Sequence, residues 1–265
     1  MAVPGKPGGL RRFIAETRLS GFLLIGALFL LWEISARYWV GSDSWPPLSQ
    51  VLAALAAGLQ SGELSQVFGS SLLRMFAGYA AGTLAGVALG LLMASSNWWR
   101  ALFEPSVELL RPIPIPAIVP PLILLLGIDD GMKIFVIAFS SFFPVVINTL
   151  QGAKAVDPTL LAMSRTFRVG SLRTLLRVVL PASLPYIFAG MRISLALAMI
   201  VTVVAEMIAG SGGIGFYLVS MQYAMRPAEM YAGVLLVAGA GYGLSSLLMM
   251  VEQRLLPWYH EQGVK

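Results

Sequence analysis

Long apolar runs separated by short polar breaks dominate the chain. Mostly apolar runs of about twenty residues or more fall at roughly 21–40, 68–93, 102–126, 132–150, 184–209 and 231–251. Each is long enough to cross a bilayer core as a helix. The pattern predicts an all-α integral membrane protein with about six transmembrane helices. After the first run, Trp45-Pro46-Pro47 breaks the chain, and Val51–Leu59 reads as a short amphipathic piece outside the membrane. The second run places Gly78, Gly82, Gly86 and Gly90 at every fourth position, a smooth face for close helix packing. The third run carries Pro105, Pro112, Pro114, Pro116, Pro120 and Pro121, which cannot all lie in one straight helix. Non-helical backbone at membrane depth is tolerated where it is buried in protein or lines a water-filled path.

One stretch breaks the apolar pattern differently. Residues 152–192 form a basic, amphipathic island between apolar runs. Asp157-Pro158 reads as a helix start, an acidic cap followed by proline at the first helical position. Leu160, Leu161, Met163 and Phe167 then recur at helical spacing, giving one apolar face. Gly170 is placed to stop that helix and Ser171 to cap the next, in which Leu172, Leu175, Leu176 and Val179 form a second stripe. Arg165, Arg168, Arg173 and Arg177 hold the island at the water side. It is either a solvated loop lying on lipid or a docking element that presents apolar knobs to a soluble partner.

Composition agrees with the pattern. Hydrophobic residues make up 57% of the 265 and charged residues 12%, with a mean hydropathy of +0.80. A soluble domain carries about a quarter charged residues. The net charge of +5 is no nucleic-acid signal, because the basic residues sit at the ends of apolar runs. Placing the N-terminus in the cytoplasm puts Lys6, Arg11, Arg12, Arg18, Arg100, Lys154, the island's arginines and Arg254 inside. Outer loops then hold little beyond Lys133 and Arg226, as the positive-inside rule requires. Both termini are thus expected in the cytoplasm. The first run is too long for a signal-peptide core and reads as an uncleaved span.

Candidate chemistry is sparse. There is no cysteine and a single histidine, His260, so thiolate or histidine metal sites and histidine-based catalysis are not expected. No G-x-x-x-x-G-K-[ST] phosphate loop occurs, so the chain is not expected to hydrolyse ATP, and energy must come from a partner. Isolated charges remain inside or beside the runs. Glu33 is read as facing protein or snorkelling, and Arg74 as a snorkelling anchor. Arg111 either marks the cytoplasmic start of the third span or faces a transport route. Glu206, with Gly213 and the glycines around it, is either an anchor satisfied by a neighbouring helix or part of an outer hinge and gate.

The island resembles the cytoplasmic coupling loop of permease subunits of binding-protein-dependent ABC importers, and more narrowly the nitrate/sulfonate/taurine branch. VDPTLL at 156–161, RT at 165–166, RVVLPASLPYI at 177–187, AGMRI at 189–193 and VVAEMIAGSGGIGF at 203–216 carry the resemblance, with ELLRPIPIPAIVPPLILLLGID at 108–129 upstream. The family's Glu-Ala-Ala is Ala162-Met163-Ser164 here, and its glycine four residues on is Arg168. The resemblance implies a type I ABC importer permease fold, with residues 1–20 as a cytoplasmic segment and 21–65 as the first helix plus outer segment. The permease core is then 66–251 with a coupling loop at 151–183, and 252–265 a cytoplasmic tail. Residues 157–169 become the coupling helix: Asp157 caps it, and Leu160, Met163 and Phe167 dock on the ATPase. Arg168 offers a charge to an acidic group there and, replacing glycine, lets the helix run on to Gly170. The implied partners are two copies of an ATP-binding subunit holding ATP and Mg, a second permease copy, an extracytoplasmic substrate-binding protein and membrane lipid. The implied location is the bacterial cytoplasmic (inner) membrane, and the implied cargo a small anion such as an alkanesulfonate, taurine or nitrate. An ion-gradient-driven transporter or a membrane scaffold is the alternative.

Overall fold

A computed structural model describes residues 18–257; Lys6, Arg11, Arg12, His260 and Lys265 lie outside the described residues. Every regular element among the described residues is helical. Five helices are long and apolar enough to cross a membrane, or six when one sharply bent pair is taken as a span.

The first span is α1 (Arg18–Ile34), which runs into a π-helical turn at Ser35–Val40. From Gly21 to Ile34 its side chains are almost all exposed, as expected of a helix that faces lipid. One corner ties it down: the Trp32 ring lies 5.4 Å from Trp45 and 5.7 Å from Tyr231. Trp32 Nε1 also donates to the Pro46 carbonyl at 3.1 Å. Glu33 accepts from the Ser49 N–H at 3.0 Å and pairs with Arg37, so it faces protein. The expected outer piece is α2 (Leu48–Gln60), starting directly after Pro47.

The core is built on two parallel helices, α3 (Glu63–Ser95) and α6 (Asp130–Lys154). Their contact is made by the glycine row. A Cβ on Gly78 would meet Ile137 at 2.6 Å, one on Gly82 the Ala138 carbonyl at 2.3 Å, and one on Gly90 Thr149 at 2.6 Å. Without side chains at these positions the two backbones close onto each other, which in lipid replaces hydrophobic drive by van der Waals contact. At 33 residues, α3 rises about 50 Å, against a bilayer core of about 30 Å, so its ends stand out of the hydrocarbon.

The proline-rich run is two helices, α4 (Asn97–Leu110) and α5 (Ile115–Leu126), meeting at 99°. Pro112 and Pro114 sit in the bend, and Pro116 falls in the first turn of α5, where a missing N–H leaves no helical bond unmade.

After α6 come α7 (Pro158–Thr166) and the short α8 (Ser171–Thr174). A π-helical turn at Leu175–Val179 joins α8 to α9 (Leu180–Ala209) without a break. The fifth span therefore begins at Ser171, well before the expected position near 184. Pro181 and Pro185 argue against such an early start, since proline crowds the carbonyl four residues back. At Pro181 the π-turn eases that conflict, since Leu180 N–H donates five residues back, to Leu175, while Pro185 lies within the regular helix. Against both α6 and α3 lies α9, antiparallel to them, with Gly190 against Pro144 and Asn148, Ser194 Oγ donating to the Ser141 carbonyl at 2.9 Å and Tyr79 Oη to the Met191 carbonyl at 3.1 Å. Met75, Val136, Ile137, Leu195 and Ala198 fill the shared core. The chain ends with α10 (Ile214–Tyr223) and α11 (Pro227–Leu255).

Candidate functional site

Candidate residues gather at the two ends of the bundle. At one end, α7 forms as its sequence predicts. The Asp157 carboxylate accepts from the Thr159 N–H at 2.7 Å, and Pro158 takes the first helical position. That backbone hydrogen bond holds the Asp157 carboxyl below its ordinary value. The cap is therefore present at neutral pH and is lost only as pH falls through the lowered folded-state value. Leu160, Met163 and Phe167 are exposed, Phe167 at 73%. On the other side of the helix Ser164 is buried and Leu161 half-buried.

The end of α7 departs from expectation. The helix does not run on to Gly170; it stops at Thr166, and Arg168 turns to a left-handed φ of 52°. Val169 N–H donates to the Ser164 carbonyl at 2.9 Å and Arg168 N–H to the Arg165 carbonyl at 3.0 Å. This is the Schellman arrangement, in which the left-handed residue is usually glycine. Arg168 thus makes the turn that glycine would make, at a backbone penalty of about 1–2 kcal/mol. Gly170 and Ser171 also change places relative to the prediction: Gly170 stands before the next helix and Ser171 is its first residue.

At the opposite end, expected to be the outer one, charge is gathered and buried. Glu206, near the end of α9, is fully buried. Ser71 Oγ lies 2.8 Å from both of its carboxylate oxygens. Arg74 Nη1 donates to it at 2.9 Å and the Gly215 N–H at 3.0 Å. Ser71 Oγ in turn accepts the Ile214 N–H at 2.8 Å, while Arg74 Nε donates to Asp130 at 2.7 Å. Lys133, 2% exposed, donates to the Ser211 carbonyl and to Ser211 Oγ. One network therefore ties α3, α6, α9, the 210–213 turn and the start of α10. A carboxylate taken out of water loses several kcal/mol of hydration, and this one recovers it through a guanidinium and neutral donors.

The glycines here serve fit. A Cβ on Gly213 would lie 2.2 Å from Glu206 Oε1, and Gly213 holds φ at +92°. One on Gly215 would lie 2.2 Å from the Val203 carbonyl. The structure brings Glu206 and Gly213 together and gives Glu206 partners on two other elements, α3 and α10. Arg74 is no snorkelling anchor: it is 13% exposed and bridges Glu206 and Asp130, because both carboxylates lie within its reach. Beside this network an open cavity of about 520 Å³ is lined by Arg74, Asp129, Asp130, Lys133, Ser211 and Gly212.

Arg111 is not part of this group. It caps α4 at the bend, exposed, and lines a cleft with Glu104, Glu108, Gln151 and Lys154 at the α7 end. That position fits the start of a span. The reading of sequence alone missed Asp130, Lys133 and Ser71 as partners. Their only local signal was a pair of polar residues three apart at the tops of α3 and α6.

The family model described as "Binding-protein-dependent transport system inner membrane component" matches residues 82–257. The "Putative aliphatic sulfonates transport permease protein SsuC" of Bacillus subtilis is 31% identical over 258 residues, 97% of this chain and 92% of that protein. The "Taurine transport system permease protein TauC" of Escherichia coli is 30% identical over 248 residues, 90% of each chain. The "Nitrate import permease protein NrtB" of Synechocystis is 32% identical over 200 residues, 76% of this chain and 72% of that protein.

Proposed function

Since the chain belongs to the family of binding-protein-dependent transport system inner membrane components, we propose that it lines the path of a small anion and takes its power stroke through α7. It is a permease subunit of an ABC importer with the type I fold, in the nitrate/sulfonate/taurine branch. It is a multi-pass protein of the cytoplasmic membrane, and its partners are an ATPase and a substrate-binding protein. ATP and Mg belong on the ATPase. The orientation adopted puts both termini and α7 in the cytoplasm, following the distribution of arginines and lysines.

One observation carries the coupling role. A nine-residue helix capped by Asp157 holds Leu160, Met163 and Phe167 outward with no covering element among the described residues. Burying such side chains in a cleft of the ATPase yields roughly 1.5–3 kcal/mol each, less the ordering cost. A short, doubly capped helix transmits that contact as a rigid body to α6 and α9, which flank it in the chain. Met163→Asp and Phe167→Asp test this: both variants should insert normally and lose ATPase co-purification and uptake. Unchanged uptake in both would mean that docking lies elsewhere.

The cargo we assign is an alkanesulfonate, taurine or nitrate, the solutes after which the related permeases are named. The assembly we assign has two permease copies and two ATPase subunits. In support, Gly239 and Gly243, one turn apart on α11, are exposed and a Cβ on either would meet nothing within 4 Å, leaving a smooth helix face for a second copy. The mass of the purified assembly reads the copy number, and ligand binding by the partner binding protein reads the cargo.

A further inference from the structure

The coupling helix has a second side. Beneath it, between the ends of α3 and α6 and the 161–179 segment, lies an open cavity of about 630 Å³. Its apolar wall includes Leu92, Leu161, Leu175 and Val179, and its polar rim Arg165 and Ser171. No acidic side chain lines it. Arg165, Arg168, Arg173 and Arg177 form no ion pair among the described residues. The cavity lies at the ends of α3 and α6, and because α3 outruns a hydrocarbon core of about 30 Å, such an end is suited to the level of lipid headgroups.

We propose that this cavity is a binding site for an anionic phospholipid. The headgroup phosphate takes Arg165 and Ser171, and an acyl chain lies along Leu92, Leu161, Leu175 and Val179. Both halves of the site need an occupant of this kind. A free inorganic anion would satisfy Arg165 and leave the leucine wall wet. An apolar segment of protein would cover the wall and leave the arginines without counter-charge. An anionic lipid matches the wall and the charge together, and basic clefts between spans on the cytoplasmic side are suited to such headgroups. Because Leu160, Met163 and Phe167 point the other way, occupation leaves the docking face free. A lipid there also fills the space under α7, so that a push on the helix reaches the spans without collapsing the cavity. Lipid binding stands on the cavity and its charge alone; the effect on coupling rests on the reading of α7 as the docking helix.

The test uses the purified permease–ATPase complex in nanodiscs of phosphatidylglycerol and phosphatidylcholine. Lipid retained through detergent exchange is counted by native mass spectrometry, alongside ATPase rate. The wild-type complex should retain phosphatidylglycerol about tenfold over phosphatidylcholine. Arg165→Gln should lower that preference several-fold, to about the level set by the wall alone. Leu175→Trp, which fills the cavity, should abolish retention while the ATPase stays bound. Val179→Phe serves the same purpose if Leu175→Trp does not assemble, and the wild-type comparison needs no variant. Equal retention of the two lipids would overturn the proposal. So would displacement of the lipid by millimolar inorganic phosphate, or unchanged retention in both Arg165→Gln and a cavity-filling variant. Loss of the permease dimer in the filled variants with lipid retention intact would assign the cavity to a second copy instead.

Discussion

The two ends of this bundle handle their polar and apolar groups in opposite ways. At the Glu206 end, charges are buried and every one of the central groups has a partner within the chain: Glu206 with Ser71, Arg74 and Gly215, Arg74 with Asp130, Lys133 with Ser211. At the α7 end, large apolar side chains stand in the open and Arg165, Arg168, Arg173 and Arg177 have no ion pair among the described residues. The first end is complete by itself. The second is complete only with other molecules. A subunit driven by a partner needs this asymmetry, since the face that receives force must be built for an interface rather than for the chain's own core. The charged end, in contrast, ties α3, α6 and α9 so that movement arriving through the spans is shared among them.

The comparison predicts where substitutions act. The largest effect on stability belongs to Arg74→Ala, which leaves Glu206 buried without its cation and should cost about 3–5 kcal/mol. Thermal unfolding of the detergent-solubilised protein reads it. Arg74→Met combined with Glu206→Gln should recover much of the loss, because no buried charge is then left alone. A single Arg74→Ala within about 0.5 kcal/mol of wild type would show that the network contributes little. Next comes the α3–α6 seam. Gly82→Ala drives a Cβ to 2.3 Å from the Ala138 carbonyl, a backbone atom that cannot step aside. Separating the two helices should cost about 1–3 kcal/mol. Gly26→Ala on α1, where a Cβ meets nothing within 4 Å, is the matched control and should leave the unfolding midpoint unchanged.

The same contrast explains what could be read from the sequence. Span length and composition state directly which runs cross the membrane, and the row Gly78, Gly82, Gly86 and Gly90 announces a close helix contact. Asp157-Pro158 likewise announces a helix start, because capping is decided by neighbours in the chain. The Arg74–Glu206 pair is different. Its members are 132 residues apart, and apolar periodicity says which face is buried but not what it meets. Arg74 therefore read as an anchor at an interface. The start of α9 was hidden for a local reason: the π-turn at 175–179 that joins it to the basic island ahead of Pro181 has no sequence signature. Pairing across space and rare backbone turns are what the linear pattern leaves out.

Arg168 is where the smallest predicted effect gives the sharpest separation of two roles. Its left-handed φ of 52° closes the Schellman turn that aims Phe167 outward. A role for its guanidinium, pairing with an acidic group on the ATPase, is the competing reading to be tested. Arg168→Gly removes the charge and relieves the backbone: about 1–2 kcal/mol of left-handed strain, offset by about 0.5–1 kcal/mol of added freedom in the unfolded chain. The net change in stability should be a gain between zero and about 1.5 kcal/mol. Arg168→Val also removes the charge but places a β-branched residue where φ is positive, a conformation such residues avoid. If α7 acts through its shape, Arg168→Gly keeps ATPase association and uptake at the wild-type level, while Arg168→Val lowers both by displacing Phe167. That order is the expected one, because the hydrogen bonds from Val169 and Arg168 fix the turn without using the guanidinium. Equal loss in both variants would transfer the role to the charge and make the left-handed turn incidental.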